Sequence, residues 1–227
     1  MRIYTLVPLK RLDKCKTRLS AVLTQEERRD LSLYMLRDVL EAVRKSKAES
    51  IGIVAHDNDV ESVAAEFGAN FIYDDGVQGL NETVRRMSMR IKALGFDAMF
   101  VVLADVPRIH PSDVNSMFDS LKMPNSMVIS PSIENGTNAL LLSPPDSIDV
   151  RYGKNSFYTH IERVKARGLG YWIYRSESTS ADVDTPKDLL SLLRSSYDCH
   201  SRRFLESREL KNRLTLSRMR AQPSIRP

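Results

Sequence analysis

Apolar and polar residues follow two different periods along this chain, and the order of those periods predicts the fold. Short apolar runs, typical of buried strands, are separated by longer segments with apolar residues every three or four positions, typical of helices. Strands are predicted at Tyr4–Pro8, Ile51–Ala55, Asn70–Tyr73, 98–103, Met127–Ser130, Ala139–Leu142 and Gly170–Tyr174. Helices are predicted at about 24–45, at Asp59–Phe67, from near Asn81, at 111–121, at Ser156–Arg167 and at 185–194. This order predicts an α/β fold, a three-layer sandwich with a mostly parallel sheet.

Local signals support several of these helix ends. Thr24-Gln-Glu-Glu27 has the form of a capping box, with a hydroxyl at the N-cap and a carboxylate three residues later. The helix that follows carries a wide apolar face, which suits packing on a sheet; this helix and the basic C-terminal segment are the two candidate dimer surfaces. Pro111 and Thr185-Pro186 have the composition of helix starts, and Gly168 that of a helix end.

The apolar run at 98–104 ends on Asp105, which is followed by a turn containing Pro107. In an open parallel sheet, ligands bind at the carboxyl ends of the strands, so Asp105 is predicted to face a cleft. A carboxylate held there by a rigid strand suits a hard divalent cation that carries phosphates. The alternative is that Asp105 only caps the turn.

A basic loop follows the first predicted strand directly. It holds five cations in nine residues: Lys10, Arg11, Lys14, Lys16 and Arg18. The loop has neither the G-x-G-x-x-G nor the Walker A pattern, so side-chain cations rather than backbone N–H groups would have to neutralise phosphates there. The alternative is an ordinary solvated loop.

Two further acids stand in Asp182-Val-Asp184-Thr185-Pro186, just before the last predicted helix of the body. In an extended segment they point to the same side, so both could hold one metal ion. Asp184 could instead only complement the dipole of the helix that Thr185 caps. Together with Asp105, the pair favours Mg²⁺ bound by few carboxylates and by substrate phosphates.

Polar groups that could bind an anion occur between the later elements. Gly136-Thr137-Asn138 forms a predicted tight turn, and Gly153 precedes a predicted helix start at Ser156. Free N–H groups of that helix start and an outward Ser156 hydroxyl would make an anion site, although Ser156 could simply cap the helix. His160, one turn further on, is interpreted as a packing or hydrogen-bonding residue rather than a catalytic one.

Asn81, in Gly79-Leu80-Asn81, is a weaker candidate for binding a nucleotide. The glycine allows a close backbone approach, and the Asn81 amide could contact a base or a ribose. An N-cap role explains Asn81 equally well.

The charge of the chain is unevenly distributed. The net charge is +5, but residues 200–227 carry eight Lys or Arg against two Glu, so the preceding residues are close to neutral. We therefore divide the chain into a body at 1–197 and a basic C-terminal tail at 198–227, helical or partly disordered. The two cysteines, Cys15 and Cys199, lack metal or redox spacing, and no apolar stretch reaches transmembrane length, so a cytoplasmic protein is expected.

The candidate residues include acids and cations but no nucleophile paired with a base, and none of the four histidines has a partner at metal-ligand spacing. Catalysis by positioning and electrostatics, as in phosphoryl or nucleotidyl transfer, suits such a set.

The motifs, taken in order, resemble the archaeal 2-phospho-L-lactate guanylyltransferase family. The resemblance rests on Val7-Pro-Leu-Lys10, Lys16-Thr-Arg18-Leu19, Gly79-Leu-Asn81, Ala104-Asp105-Val-Pro107, Gly136-Thr-Asn138, Gly153-x-x-Ser156-Phe and Asp182-Val-Asp184-Thr-Pro. It implies a nucleotide-diphospho-sugar-transferase-like fold for the body. It also implies the reaction of GTP with 2-phospho-L-lactate to give lactyl-2-diphospho-5′-guanosine and pyrophosphate, a step toward the deazaflavin coenzyme F-420.

The resemblance also implies roles for individual residues. Asp105, Asp182 and Asp184 would hold Mg²⁺, and Thr137, Gly153 and Ser156 would bind the phosphorylated acid. Lys16 and Arg18 would act with Asp105 in catalysis, and Lys10, Lys16, Arg18 and Asn81 would bind the nucleotide. A homodimer is the expected assembly. The basic tail matches no part of the family pattern.

Two other functions remain open from the sequence. The acceptor could be phosphoenolpyruvate or another phosphorylated small acid; a sugar phosphate or molybdopterin fits less well, because the first loop lacks glycines. A non-catalytic nucleotide sensor or RNA-binding protein acting through the tail is a different class. Acids converging on one cleft disfavour RNA, since carboxylates repel a polyanion unless a metal intervenes. No membrane partner is expected.

Overall fold

A mixed sheet forms the centre of the molecule in the computed structural model, which describes residues 1–74 and 79–207. The strands in these ranges are Ile3–Pro8 (β1), Ser50–Ala55 (β2), Asn70–Tyr73 (β3), Ala98–Val102 (β4), Ser126–Pro131 (β5), Thr137–Ser143 (β6) and Gly170–Ile173 (β7). Their order across the sheet is β3-β2-β1-β4-β6-β5-β7. Strand β6 runs antiparallel to β4 and β5, and the other pairs are parallel. The predicted mostly parallel sheet is confirmed.

The helices agree closely with the sequence pattern. They are Gln25–Arg44 (α1), Asp59–Glu66 (α2), Gly79–Ala93 (α3), Pro111–Ser120 (α4), Ser156–Ala166 (α5), Glu177–Ser180 (α6), Pro186–Arg194 (α7) and His200–Glu206 (α8). The Thr24 hydroxyl and the Glu27 carboxylate form the predicted capping box of α1. Helix α6 and two short 3₁₀ turns in the basic loop, Leu12–Lys14 and Thr17–Leu19, were not predicted.

Alternation of side chains along β4 divides the core into two layers, as a sandwich requires. Phe100 and Val102 face a cluster that includes residues of α1, α2 and α4. Met99 and Val101 face the opposite cluster, which includes residues of α3 and α5. Both faces of β4 are therefore covered, and its carboxyl end is the part of the strand that can meet a ligand.

A third apolar cluster fixes the basic loop to the rest of the molecule. Leu19 of the loop packs in it with Leu31 and Met35 of α1, Leu189 of α7 and Leu205 of α8. The first loop is thus anchored by residues from distant parts of the chain. Within the described ranges, no helix is long and apolar enough to cross a membrane.

Helix α8 lies inside the segment that the sequence assigned to a basic tail. Cys199 and Leu205 are buried, and α8 packs on α1, so the folded body continues at least to residue 206. The sequence had left a helix open in this segment, and α8 is a helix at its beginning. Residues 208–227 of the predicted tail lie outside the described residues.

Asp38 of α1 holds the beginning of α8, and its removal should destabilise the protein. The buried carboxylate accepts bonds from the N–H groups of His200 and Ser201 at 2.6 and 3.0 Å and from the Ser201 hydroxyl at 2.5 Å. Asp38→Ala leaves these donors without a partner, so we expect the free energy of unfolding to fall by about 2 kcal/mol. Urea denaturation measures this, and Asp119→Ala, at an exposed ion pair with Lys47, is the control. Equal stabilities of the two variants would contradict this role.

Candidate active site

The basic loop leaves β1 at the carboxyl edge of the sheet and turns back over it. Its first 3₁₀ turn is fixed by buried Leu12, whose N–H donates to the Asp57 carboxylate at 3.0 Å. Lys16, between the two turns, adopts a left-handed backbone conformation (φ 48°, ψ 41°), which is uncommon for a non-glycine residue. This turn directs the Lys16 side chain inward, where only 9% of it is exposed.

The Lys16 ammonium group bridges two of the predicted metal-binding carboxylates. Its Nζ lies 2.8 Å from Oδ2 of Asp105 and 2.7 Å from Oδ1 of Asp184. Burial lowers the pKa of Lys16, but the two carboxylates outweigh that effect, so the pKa lies above its usual value. Lys16 is therefore a fixed positive charge between two acids.

Asp105 is positioned by the end of β4 and by the acidic segment that pairs with it. The Val183 N–H donates to the Asp105 carbonyl at 3.0 Å, which brings Asp182 and Asp184 to the same place. The Asp105 Oδ1 atom is buried and has no hydrogen-bond partner. An orphaned carboxylate oxygen of this kind is typical of a group that binds something else.

Asp184 is not needed to cap α7. Thr185 is the N-cap: its hydroxyl accepts from the Asp188 N–H at 3.4 Å, and its own N–H donates to the Asp188 carboxylate at 2.7 Å, which together form a capping box. Burial raises the pKa of the Asp184 carboxyl, but Lys16, with Lys10 and Arg18, more than offsets this, so the pKa falls below its usual range. The role that the sequence left open for Asp184, complementing the helix dipole, is filled by Asp188.

Asp182 is held beside this pair by Asn138 of β6. The Asn138 amide donates to the Asp182 carboxylate at 3.3 Å and to the Thr179 carbonyl at 2.9 Å. Burial, followed by the nearby Asp105 charge, raises the pKa of Asp182 to about 6. The fold therefore holds the Asp182 and Asp105 carboxylates close enough together for their charges to repel each other.

The residues fit a divalent cation in part. The described residues contain no group of three or more His, Cys, Asp or Glu side chains already arranged around one point. Asp105 and Asp184 nevertheless reach a common cation, because one ammonium contacts both, and the orphaned Asp105 oxygen is a further ligand atom. Mg²⁺ usually binds through one or two carboxylates plus substrate phosphates, so a complete protein cage is not required.

The raised pKa of Asp182 predicts that this carboxylate weakens the metal-free fold at neutral pH. An acid whose pKa rises from 3.8 to about 6 on folding costs stability above pH 6 and none below about pH 4. Asp182→Asn should therefore raise the free energy of unfolding at pH 7.5 in a chelator by about 1 to 2 kcal/mol, after allowance for the partial exposure of the group. The gain should vanish as the pH falls from 6 to 4.

Urea denaturation across that pH range measures the effect. Asp198→Asn is the control, because the exposed Arg203 pair lowers the pKa of Asp198 and predicts a change of opposite sign. If Asp182→Asn instead lowered the free energy of unfolding at pH 7.5, the Asp182 carboxylate would stabilise the fold and the prediction would be wrong.

Thr137, Ser156 and His160 form a buried polar cluster at the start of β6 and α5. The Ser156 Oγ and Thr137 Oγ1 atoms lie 3.1 Å apart, and Thr137 Oγ1 lies 3.0 Å from His160 Nδ1. Thr137 and Ser156 are each 2% exposed. His160 has the hydrogen-bonding role that the sequence favoured.

The predicted free N–H groups at the start of α5 are not free, and this expectation was wrong. The N–H groups of Ser156, Phe157 and Tyr158 donate to carbonyls of Gly153, Asn135 and Asn155. The Ser156 hydroxyl also points inward to Thr137 rather than outward. A left-handed Asn155 at the N-cap tightens this turn, a conformation that the sequence did not reveal. Gly153 adopts φ 131°, and its Cα faces open space.

The predicted basic residues lie around one cleft, and Asn81 does not. Lys10, Lys16 and Arg18 line a cavity of about 290 Å³ together with Asp105 and Asp184. Lys10 and Arg18 are exposed, so they are available to a ligand. Asn81 of α3 instead holds the backbone of Tyr152, whose N–H it binds at 2.6 Å and whose carbonyl it contacts at 3.2 Å.

Two parts of the site were missed from the sequence. Asn138 was assigned only to an exposed turn, although it fixes Asp182, and the backbone bond between Val183 and Asp105 joins segments far apart in the chain. The Gly136-Thr-Asn motif marks the position of Asn138, but only the β4–β6 pairing reveals the contact.

A mixed α/β sandwich with acids at the carboxyl edge of its strands and a basic first loop is the arrangement of an α/β protein that binds a phosphorylated ligand at that edge. Solved structures support this fold. A protein from Desulfovibrio desulfuricans G20, assigned as a nucleotide-diphospho-sugar transferase, superimposes with a TM-score of 0.75 at 21% identity, covering 95% of this chain and 98% of that one. A Mycobacterium tuberculosis protein, Rv0371c, solved in complex with manganese, gives 0.58 at 13% identity, covering 86% and 100%.

The protein belongs to the family of CofC-like guanylyl transferases, whose model matches residues 1–222. A phosphoenolpyruvate guanylyltransferase from Thermobaculum terrenum is 34% identical over 193 residues, 85% of this chain and 83% of that protein. A 2-phospho-L-lactate guanylyltransferase from Methanocaldococcus infernus is 33% identical over 207 residues, 91% and 92%. The resemblance seen in the sequence motifs is confirmed. The expectation that the basic tail lies outside the family pattern was wrong, because the match extends to residue 222.

Proposed function

We propose that the protein transfers the guanylyl group of GTP to the phosphate of a small phosphorylated acid and releases pyrophosphate. 2-Phospho-L-lactate is the first candidate acceptor, which would place the enzyme in the biosynthesis of coenzyme F-420. The observation that carries the proposal is the Lys16 ammonium between Asp105 and Asp184 in the lining of the basic cleft. Such a set can hold a metal–triphosphate group and contains no nucleophile of its own.

The reaction needs no covalent enzyme intermediate. A phosphate oxygen of the acid attacks the α-phosphorus of GTP, a new phosphorus–oxygen bond forms, and the bond to the β-phosphate oxygen breaks as pyrophosphate leaves. Negative charge accumulates on the α-phosphoryl oxygens and on the leaving group. The task of the protein is therefore to align the two phosphates and to stabilise that charge.

The residues of the cleft divide these tasks. Asp105 and Asp184, with Asp182 beside them, would hold Mg²⁺, which neutralises phosphate charge and orients the α-phosphoryl group when bound. Lys16 and Arg18 would contact the triphosphate, and Lys10 lies exposed at the same cleft. Asn81 was predicted to bind the nucleotide, but its amide is bonded to the Tyr152 backbone, so it would instead support the neighbouring Gly153.

The phosphorylated acid is assigned to the Thr137 and Ser156 hydroxyls and to the backbone at Gly153. Gly153 has open space at its Cα, so a ligand can approach the chain closely there. Because the N–H groups of the first turn of α5 are already bonded, the hydroxyls have to supply the contacts to the anion.

Phosphoenolpyruvate is the second candidate acceptor, because a relative of similar identity carries that activity in its name. The two acids differ at the carbon that bears the phosphate, which is tetrahedral in phospholactate and planar in phosphoenolpyruvate. Their phosphate and carboxylate groups would use the same hydroxyls.

Pyrophosphate release in the presence of GTP and Mg²⁺ tests the proposal. We expect release that requires 2-phospho-L-lactate, with phosphoenolpyruvate assayed in parallel. Release with phosphoenolpyruvate alone would keep the reaction and change the acceptor. No release with either acid, from protein that still binds GTP, would overturn the proposal and favour a nucleotide sensor; RNA binding that is lost on truncation after Ser207 would favour the RNA-binding alternative.

We further propose a homodimer in the cytoplasm. The apolar face of α1, predicted as a dimer surface, is buried within the chain, so the dimer contact has to lie elsewhere. Two buried, free cysteines suit a reducing compartment. Sedimentation velocity should give about twice the chain mass of 25.8 kDa. A species with the mass of a single chain at micromolar concentration would contradict the proposed dimer.

A further inference from the structure

The imidazole of His160 lies beneath the two hydroxyls assigned to the phosphorylated acid. The ring is fully buried, with one nitrogen facing Thr137 and the other facing the backbone of Arg151. The Thr137 and Ser156 hydroxyls form a chain with it, from Nδ1 through Thr137 Oγ1 to Ser156 Oγ. The direction of each hydrogen in this chain decides what a ligand meets.

The backbone of Arg151 sets that direction. Its N–H can only donate, and it lies 2.9 Å from His160 Nε2. Nε2 must therefore accept, and a neutral imidazole carries its one hydrogen on the other nitrogen. The Nδ1–H group then donates to Thr137 Oγ1, which acts as an acceptor.

The number of hydroxyl hydrogens determines what the Thr137–Ser156 pair can donate to a ligand. Thr137 and Ser156 own two hydroxyl hydrogens, and the bond between them uses one. Since His160 supplies its own hydrogen, one hydroxyl hydrogen remains for a ligand. In the opposite tautomer Nδ1 would accept from Thr137, Ser156 would donate to Thr137, and the pair would present only lone pairs, which repel an anion.

We propose that His160 is a positioning residue: by donating its own hydrogen to Thr137, it leaves one hydroxyl hydrogen of the Thr137–Ser156 pair free to donate to an anionic oxygen of the phosphorylated acid. The inference rests on the proposed function, because it takes that acid to be the ligand. It accounts for a buried histidine whose two ring nitrogens face a hydroxyl and a backbone N–H.

The charge state of the ring supports this role. Burial, followed by the positive charge of Arg163, lowers the pKa of His160 to about 4. The imidazole stays neutral throughout the neutral range, so the Arg151 N–H keeps its acceptor. The edge of the Tyr152 ring, with centroids 5.4 Å apart, closes the cluster without a hydrogen bond.

Two variants of His160 distinguish an effect of hydrogen-bond direction from an effect of lost packing. The shorter amide side chain of His160→Asn can place an N–H near the position of Nδ1–H, whereas His160→Gln places its amide near Nε2 and leaves Thr137 without a donor. We expect the KM for the acid to rise about 30-fold in His160→Gln and less than about 5-fold in His160→Asn. The KM for GTP should change less than about 2-fold in both. Equal effects of both variants on the two substrates would overturn the inference.

A measurement on the unmodified protein makes the test independent of folding of the variants. Nitrogen-15 NMR of the histidine side chains reports the tautomer, and we expect Nδ1–H for His160 at pH 7. An Nε2–H tautomer in active enzyme would overturn the inference and leave the proposed function standing. Wild-type protein that releases no pyrophosphate with any phosphorylated acid would instead overturn the proposed function, and the acid-binding role of His160 with it.

Discussion

Replacing Asp105 with Asn is expected to lower kcat for pyrophosphate release at least about 100-fold while the fold stays intact. The amide keeps the size of the side chain but removes its charge, and it leaves the orphaned Oδ1 position without a carboxylate oxygen. Stabilisation of charge in the transition state would be lost, and a 100-fold loss corresponds to about 2.7 kcal/mol of barrier. Steady-state rates at saturating GTP, acceptor and Mg²⁺ measure the effect.

The control for this experiment is Asp13→Asn. Asp13 lies in the same basic loop, but it is exposed and pairs with Arg11 rather than facing Lys16. We expect it to retain at least about half of kcat, since an exposed pair of this kind contributes little. If Asp105→Asn kept more than a tenth of kcat, Asp105 would not be the metal ligand, and the role would pass to Asp184 and Asp182.

The sequence predicted the elements and the acid at the end of β4 because their signals are local. An apolar run that stops at Asp105, the capping box at Thr24 and the Thr185-Pro186 start each depend on neighbouring residues only. The carboxyl-edge rule then places Asp105 and the first loop together, because both follow strands that pair in the sheet. Local sequence signals and the carboxyl-edge rule were therefore sufficient to place Asp105 and the first loop.

Contacts between distant residues could not be predicted in the same way. The Lys16–Asp184 ion pair joins positions 168 residues apart, and it depends on a left-handed turn at a lysine, which no residue preference favours. The N–H groups at the start of α5 were expected to be free, but Asn135, from a turn between strands, supplies a carbonyl to one of them. Such partners depend on the assembled sheet and not on spacing along the chain.

We expect Lys16 to compete with a divalent cation for the same two carboxylates before a nucleotide binds, so its removal should strengthen metal binding and weaken catalysis. The ammonium contacts Asp105 and Asp184 at 2.8 and 2.7 Å, the positions where a cation would bind both. A triphosphate would draw the lysine away from the acids as the metal ion enters, because its own negative charge attracts the ammonium. We therefore expect Lys16 to balance the charge of the two acids before the nucleotide binds and to stabilise the leaving pyrophosphate afterwards.

Lys16→Met should therefore bind Mn²⁺ about 10-fold more tightly than the unmodified protein when no nucleotide is present, while kcat falls about 100-fold. Methionine preserves the length of the buried side chain, so the change is mainly one of charge. Titration calorimetry with Mn²⁺ measures the first effect and pyrophosphate release the second. Lys45→Met, which removes an exposed pair with Glu41 on α1, should alter neither. Mn²⁺ affinity that is unchanged or weaker in Lys16→Met would show that the ammonium does not occupy the cation position, and the carboxylates would then have to bind the metal in another arrangement.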